Sequence, residues 1–443
     1  MDANKVLGHK KNIYRRANIL KFLGFSFIGI CIYFIPFTLM GNRTILLDHL
    51  VSAITVSVPR FGPGITFAMV IIGGFLPFYE KTWNKDSTSI ILSGLKLLGV
   101  VLAIMAFFNF GPQWLMKEDM LPLLLEKIII PVALIIPLGS LFITFITGYG
   151  LLGFLGVLLK PVMGPVWKVP GIAAVNIVTS FVGSFSVGIF MTNKLLKEGK
   201  YTMREAAIIT TGFSTVSAAF MVIVAKNLEL MAIWNTFFWT TLIITFLVTA
   251  ITVRLKPLNK IENIYITAKE KTEEELQEPL LSKAIIEALR EADNAKSIWE
   301  NMIINFRDGI GMSLRFLPIG LSVGLISFYA VKMTFLYDIL AYAYYPIALL
   351  LSIPEPWLVA KASAIAGAEV LMPSLVMADV GAPIAARFAT GVVSISSILF
   401  FSGSIPCILA TEIDLKIKDI LLILIERTAL TLLLVAPVLK ILF

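Results

Sequence analysis

PGIAAVNIVTSFVGSFSVGIFMTNKLLKEGK, residues 170–200, decides how this chain folds. The run is apolar enough to enter a bilayer, but GSFSVG at 183–188 interrupts it. Lys168 stands on one side of it, and Lys194, Lys197 and Lys200 stand on the other. Basic residues mark cytoplasmic flanks. Lysines at both ends therefore predict a segment that dips into the membrane and returns to the side it left. That is a helical hairpin, not a crossing.

The rest of the chain supplies the bilayer for such a hairpin. Its residues are 58% hydrophobic and only 15% charged, against about 25% charged in globular domains, and the mean hydropathy is +0.88. Windows at Ile19–Met40, Ile90–Phe110, Ile128–Phe145, Met231–Val253 and Ile420–Phe443 approach or exceed the roughly 20 apolar residues needed to span a membrane. The fold class is an all-α polytopic membrane protein. The net charge of +8 does not point to nucleic acid, because the cations flank the spans: Lys10, Lys11, Arg15, Arg16 and Lys21 before the first, Arg254, Lys256 and Lys260 after a later one. That distribution predicts a cytoplasmic N-terminus, a cytoplasmic linker, and insertion in the inner (cytoplasmic) membrane. The first apolar run is too long for a signal peptide and lacks a convincing cleavage site, so a retained first helix is expected. Cys31 and Cys407 lie in apolar spans without metal-ligand spacing.

With the N-terminus inside, Ile19–Met40 runs outward, Phe61–Tyr79 inward, Ile90–Phe110 outward and Leu121–Thr147 inward. Gly148–Val169 reads as an interfacial helix. After the hairpin, 202–227 reads as an outward span rich in Ser and Thr, and Met231–Val253 returns. Residues 254–300 are hydrophilic, with apolar positions at helical spacing near their end, and read as an amphipathic linker between halves.

The second half repeats the first in order. TTGFSTVSAAF (210–220) falls beside ATGVVSISSIL (389–399), and KVPGIAAVNIVTSFVGSFSVG (168–188) beside PEPWLVAKASAIAGAEVLMP (354–373). The predicted organisation is N-terminal transmembrane helices over 1–120, a first repeat over 121–253, a linker over 254–301 and a second repeat over 302–443. The second unit starts on the opposite side, so the units are expected to be inverted, each with a re-entrant hairpin. Inverted repeats with discontinuous helices are built that way in secondary transporters, with the site near the midplane.

Candidate site residues follow from this layout. Glu369, in AGAEVLMPSL (366–375), is an intramembrane carboxylate; such groups are costly and face a cavity or a partner. It is a candidate cation, proton or solute ligand, or else an ion-pair partner of Lys361 or Arg387. Ser184 and Ser186 at the first tip, with Thr179 on the incoming arm, suit Na⁺ coordination, and Asn176 is a further polar candidate on that arm. Thr211 and Thr390 are the hydroxyls retained from the two Ser/Thr-rich spans, most of whose members back-bond to their own helix. Arg387 and Arg315 are candidate counter-charges for an anionic solute. No P-loop is present, and His9 and His49 lie outside the apolar spans, so the expectation is a non-enzyme.

At these residues the sequence resembles a known family. GSFSVGIFMTNKLLKEGKYTMREAAIITTGFSTVSAAFMVIV (183–224) is similar to the hairpin-plus-helix segment of concentrative nucleoside transporters, with Gly183, Thr202, Met203, Glu205, Thr211, Gly212, Phe213 and Ser217 keeping the pattern. ARFATGVVSISSILFFSG (386–403) resembles that family's later helix. More broadly the chain resembles nucleoside-recognition (Gate) domain membrane proteins, and KFLGFSFIGICIYFIPFTLMGNRTI (21–45) resembles their YjiH-type branch. The family's first-tip glutamate falls at Ser186, while an acidic tip stands instead at Glu369. The resemblance implies a transporter-like core for a nucleoside-like or other small polar solute. Without a visible ATPase the expected coupling ion is Na⁺ or H⁺, in symport, with no other cofactor. The alternatives are an ion permease or channel on the same core, and a non-transporting membrane scaffold in envelope or spore assembly. The apolar segments at 19–110 are extra to the core and available to form a homo-oligomer.

Overall fold

The structure is a computed structural model, describing residues 14–35, 37–39, 42–85, 87–118, 120–174, 177, 185–266, 279–409 and 411–443. Among the described residues, seven helices are long and apolar enough to cross a membrane. In chain order the helices are α1 (Arg16–Phe34), α2 (Leu46–Ser57), α3 (Phe61–Tyr79), α4 (Ser87–Phe107) and α5 (Ile130–Thr147). Next come α6 (Leu151–Val162), α7 (Phe185–Lys197), α8 (Met203–Gly212), α9 (Ala218–Asn227) and α10 (Trp234–Thr252). The linker helix α11 (Leu280–Asn294) is followed by α12 (Ile298–Met333), α13 (Leu336–Ala341), α14 (Tyr345–Leu350), α15 (Pro356–Ala366) and α16 (Met372–Asp379). The chain closes with α17 (Ile384–Ser396), α18 (Ser404–Leu409) and α19 (Ile417–Leu442). Only α1, α3, α4, α5, α10, α12 and α19 have spanning length, and the protein is a multi-pass helical membrane protein.

The first apolar run is shorter than expected. The residue before a proline is driven to extended conformation, and Ile35, preceding Pro36, has φ −100° and ψ 101°. Helix α1 therefore stops at Phe34, and Phe37–Leu39 pairs antiparallel with Asn42–Thr44. Its faces differ as a lipid-facing helix requires: Leu20 and Phe27 are exposed, while Tyr33 is wholly buried and donates to Gly139 O at 2.5 Å.

Two glycines set how closely α3 and α4 approach α12. Pro318 lacks an N–H, so the carbonyl of Leu314, four residues earlier, loses its helical partner. Gly73 of α3 packs directly on that carbonyl and Gly99 of α4 on the carbonyl of Pro318, where an added Cβ would overlap backbone in each case. α5 packs along α12 as well, so these four helices form one wall.

The same order of elements occurs twice. A long helix (α5; α12) leads to short helices (α6; α13 and α14), then to α7 in the first half and the hairpin α15/α16 in the second, a helix pair interrupted by non-helical residues (α8/α9; α17/α18) and a closing long helix (α10; α19). The expected span at 202–227 is not continuous. It begins at the Thr202 cap and breaks between Gly212 and Ala218, where Ser217 starts a new helix through its own hydroxyl. In the second hairpin α15 has 11 residues and α16 has 8, about 17 and 12 Å at 1.5 Å per residue, too short to cross. Of the expected first hairpin, residues 175, 176 and 178–184 lie outside the described residues, and 185–188 begin α7.

The linker holds one amphipathic helix, α11, whose Ala284, Ala288, Leu289 and Ala292 are buried against α6 and α1. Glu291 Oε2 accepts from Gly153 N at 3.2 Å, and Asn18 Nδ2 donates to Asp293 Oδ1 at 2.9 Å.

Candidate functional site

Each helix break exposes backbone groups that something must satisfy, since a helix end leaves its last carbonyls and first N–H groups without partners. At the first break, Thr249 on α10 shares its hydroxyl proton between Gly212 O at 2.7 Å and Thr245 O at 2.8 Å. The chain resumes at Ser217, whose hydroxyl accepts from Phe220 N at 3.3 Å and starts α9.

At the second break a guanidinium does this work. Arg427, mid-way along α19 and wholly buried, donates from Nε and Nη2 to Ser396 O at 3.1 and 2.8 Å. Its Nη1 donates to Thr249 Oγ1 at 3.0 Å, and Thr431 Oγ1 donates to Ser396 Oγ at the same distance. One arginine thereby links the C-terminal ends of both interrupted helices, directly at Ser396 and through Thr249 at Gly212. Among the described residues it has no carboxylate within ion-pair distance.

The second break is also strained. Ile398 has φ +62°, a left-handed conformation that is a genuine outlier for a β-branched residue. Ser404 Oγ holds the turn by donating to Ile398 O at 2.7 Å and accepting from Phe400 N at 3.0 Å.

Both hairpins reach this segment. From the second, Gly367 O and Ala368 O accept from Phe401 N at 2.9 Å and Ser402 N at 3.0 Å. From the first, Phe185 packs edge-on against Phe400 with ring centroids 5.2 Å apart, and a Cβ on Gly403 would meet both rings.

Glu369 is 1% exposed. Its Oε2 accepts from Leu371 N at 2.6 Å and Met372 N at 2.8 Å, so the carboxylate turns back to cap its own second arm, α16. Oε1 is buried and without a partner among the described residues. The ion-pair alternative for Glu369 is overturned. Lys361 Nζ pairs with Asp338 at 2.8 and 3.0 Å, and Arg387 pairs with Glu229 and donates to Leu228 O at 3.1 Å.

A cavity of about 880 Å³ lies between these elements and the α3–α4–α12 wall. It is lined by Ser217 and Phe220 after the first break, Ser402 and Gly403 at the second, and Phe185 at the start of α7. Lys96 and Arg315 line it too, as do the exposed Glu80, Lys85, Arg307 and Asp308. Neither Lys96 nor Arg315 has a carboxylate within ion-pair distance among the described residues. Ser402 Oγ is buried there without a partner among the described residues.

The sequence candidates divide among these surroundings. Glu369 sits at the second tip, which hydrogen-bonds to the second break. Thr211 is wholly buried and donates back to Ala207 O at 2.7 Å. Thr390 is buried in α17, and its hydroxyl lacks a partner among the described residues. Neither threonine lines the cavity, nor does Arg387. Ser186 lies in α7; Ser184, Asn176 and Thr179 lie outside the described residues. Arg315 does line the cavity. Lys96 and Arg427 were missed, although their signal was available: each is a cation inside an apolar window, LSGLKLLG and LIERTAL.

Residues 129–231 match a family model described as Gate, nucleoside recognition. An uncharacterised protein of Alkalihalophilus pseudofirmus is 27% identical over 432 residues, which cover 94% of this chain and 93% of that protein. A solved structure of a doubly substituted CNTnw in an outward-facing state aligns over 96% of this chain and 97% of its own, at 13% identity and a TM-score of 0.41. The chain is thus a multi-pass helical membrane protein whose residues 129–231 match the nucleoside-recognition (Gate) family model.

Proposed function

We propose that the protein is a secondary active transporter that carries a small polar solute through the cavity between its hairpins and helix breaks. The observation that carries this reading is the cavity itself, which is lined both by residues of the two breaks and by exposed charges. Its volume lies within the roughly 300–1,000 Å³ of small-molecule sites, and the Gate match to nucleoside recognition supports a solute of that size. The repeated order of elements supports two units related by inversion, which would exchange access by rocking one set of elements against the other.

Lys96 and Arg315 favour a solute with a negatively charged or strongly accepting group, because cations inside a membrane-embedded cavity need a counter-charge. Glu369, Thr390, Ser186 and, from the first hairpin, Ser184, Asn176 and Thr179 are proposed to contact the solute or coupling ion as the tips move. Thr211 would support the first break, and Arg387 would hold the end of α17. Energy would come from a cation gradient across the inner membrane, with the N-terminus in the cytoplasm. The helices α1–α4 would serve as scaffold and, in a homo-oligomer, as interface.

The test is ligand-induced thermal stabilisation of the purified protein against nucleosides, nucleobases, nucleotides, amino acids and small carboxylates. A saturable shift for one class, weakened in Lys96→Gln and Arg315→Gln, is expected by mass action. Uptake of that compound into proteoliposomes completes it. No shift from any class would favour the membrane scaffold instead.

A further inference from the structure

Arg427 does not line the cavity, and its surroundings call for a cation. Half-helix C-termini and unwound carbonyls are where secondary transporters hold a coupling Na⁺. A helix C-terminus carries about half a negative elementary charge, so two of them together balance about one positive charge. Here the interrupted helices α8 and α17, of 10 and 13 residues, end at Gly212 and Ser396, and both ends are already served. Ser396 O takes two guanidinium donors at 3.1 and 2.8 Å. Gly212 O is reached through Thr249, which accepts the third donor at 3.0 Å. The oxygens of Thr249, Ser396 and Thr431 around the guanidinium are all neutral hydroxyls or carbonyls.

We infer that the Arg427 guanidinium is the resident cation of the paired helix breaks, standing where a dissociable Na⁺ would otherwise bind. This rests on the transporter reading for its purpose, not for its chemistry. A guanidinium makes planar, directed hydrogen bonds and stays charged at every physiological pH. Its charge is covalently fixed and cannot leave for either side of the membrane. The locus therefore joins the two breaks without drawing energy from a sodium gradient, and any coupling ion must act elsewhere in the protein.

The test compares melting of the full-length purified protein in NaCl and KCl at matched ionic strength. Wild type and Arg427→Lys are expected to show the same difference between the two salts, set only by whatever coupling ion acts elsewhere. In Arg427→Ala and Arg427→Gln the freed oxygens should create a sodium site, giving a saturable Na⁺-specific upward shift beyond any in wild type. Methylguanidinium should restore the alanine variant. Three results overturn the inference. They are a Na⁺-specific shift in wild type that the Arg427 substitutions abolish, the same shift in wild type and every variant, and alanine and glutamine variants that respond to neither cation. If the alanine variant does not fold, the glutamine and lysine variants still decide. None of these readouts requires a solute. Loss of uptake with this pattern intact would count against the transporter reading alone.

Discussion

The two helix breaks share their neighbours but not their fastenings. At the first, a threonine hydroxyl closes the end of α8 and a serine starts α9, all within ordinary backbone conformations. At the second, a buried guanidinium, a left-handed isoleucine and the backbone of a hairpin tip converge on 396–404. Neutral hydroxyls are individually modest, with a typical hydrogen bond worth about 0.5–1.5 kcal/mol net, whereas those of charged groups contribute about 1.5–3. The second break is the hub of the structure, and the first depends on it through Thr249.

Removing the charge should separate the two breaks most sharply. Arg427→Ala leaves Ser396 O unsatisfied and empties a buried site, and should destabilise the protein by about 3 kcal/mol or more, since hydrogen bonds of a charged group are worth about 1.5–3 kcal/mol and the cavity adds to their loss. Thr249→Val removes only the hydroxyl that bridges to Gly212 and should cost about 1–3 kcal/mol. Chemical unfolding of the detergent-purified variants measures both. Equal losses would show that the breaks are held alike.

Glu369 tests the hairpin that the second break grips. Glu369→Gln keeps one acceptor oxygen but removes the anion from the start of α16, and a loss of about 0.5–2 kcal/mol is expected from the capping and dipole terms. If the carboxylate also contacts the solute, the same substitution should weaken solute-induced stabilisation by more than it lowers the basal melting temperature. A fall in basal stability with unchanged solute response would make the residue a cap only.

Strain supplies a smaller contrast with opposite sign. Ile398→Gly relieves a left-handed conformation that costs an L-residue roughly 1–2 kcal/mol, but it also removes a buried side chain that is 2% exposed. Burying such a side chain is worth about 1.5–3 kcal/mol. The net effect should be a loss of no more than about 2 kcal/mol, below that of a strain-free isoleucine in this core. Ile420→Gly in α19, wholly buried and helical, is the control and should lose several-fold more.

How much of this was legible beforehand depends on range. The second hairpin could be read at 356–378 because its marks are local: Pro356 opens it, small residues fill it, and Gly367 and Pro373 bracket the tip. The break after Gly212 could not be read from hydropathy, since PheSerThrVal at 213–216 leaves the window apolar enough to pass for a span. Its true signals were the helix-ending Gly212 and the helix-starting Ser217. Arg427 was invisible for another reason. Its partners Ser396 and Thr249 are 31 and 178 residues away, so its sequence neighbours say only that a cation lies in apolar surroundings. The pairing of Glu369 failed similarly: Lys361 and Arg387 were the nearest cations in sequence, but Asp338 and Glu229 reached them first.

The linker gives the gentlest probe, because α11 docks on the first half alone. Burial against α6 raises the Glu291 carboxyl above its ordinary value of 4.5 and Glu287 pushes the same way, while the Gly153 N–H opposes them. A carboxyl with a raised native value holds its proton more tightly folded than unfolded. Its contribution therefore favours docking at low pH and is lost as pH rises from 4.5 through the native value. Since Glu291 keeps substantial solvent contact, the effect should stay below about 1 kcal/mol after screening. Proteolysis of the linker should slow modestly between pH 7 and pH 5, and Glu291→Gln should be protected at both. A linker equally labile at both pH values in wild type would place the docking energy in Ala284, Ala288 and Leu289, leaving the carboxyl no part in joining the linker to the first half.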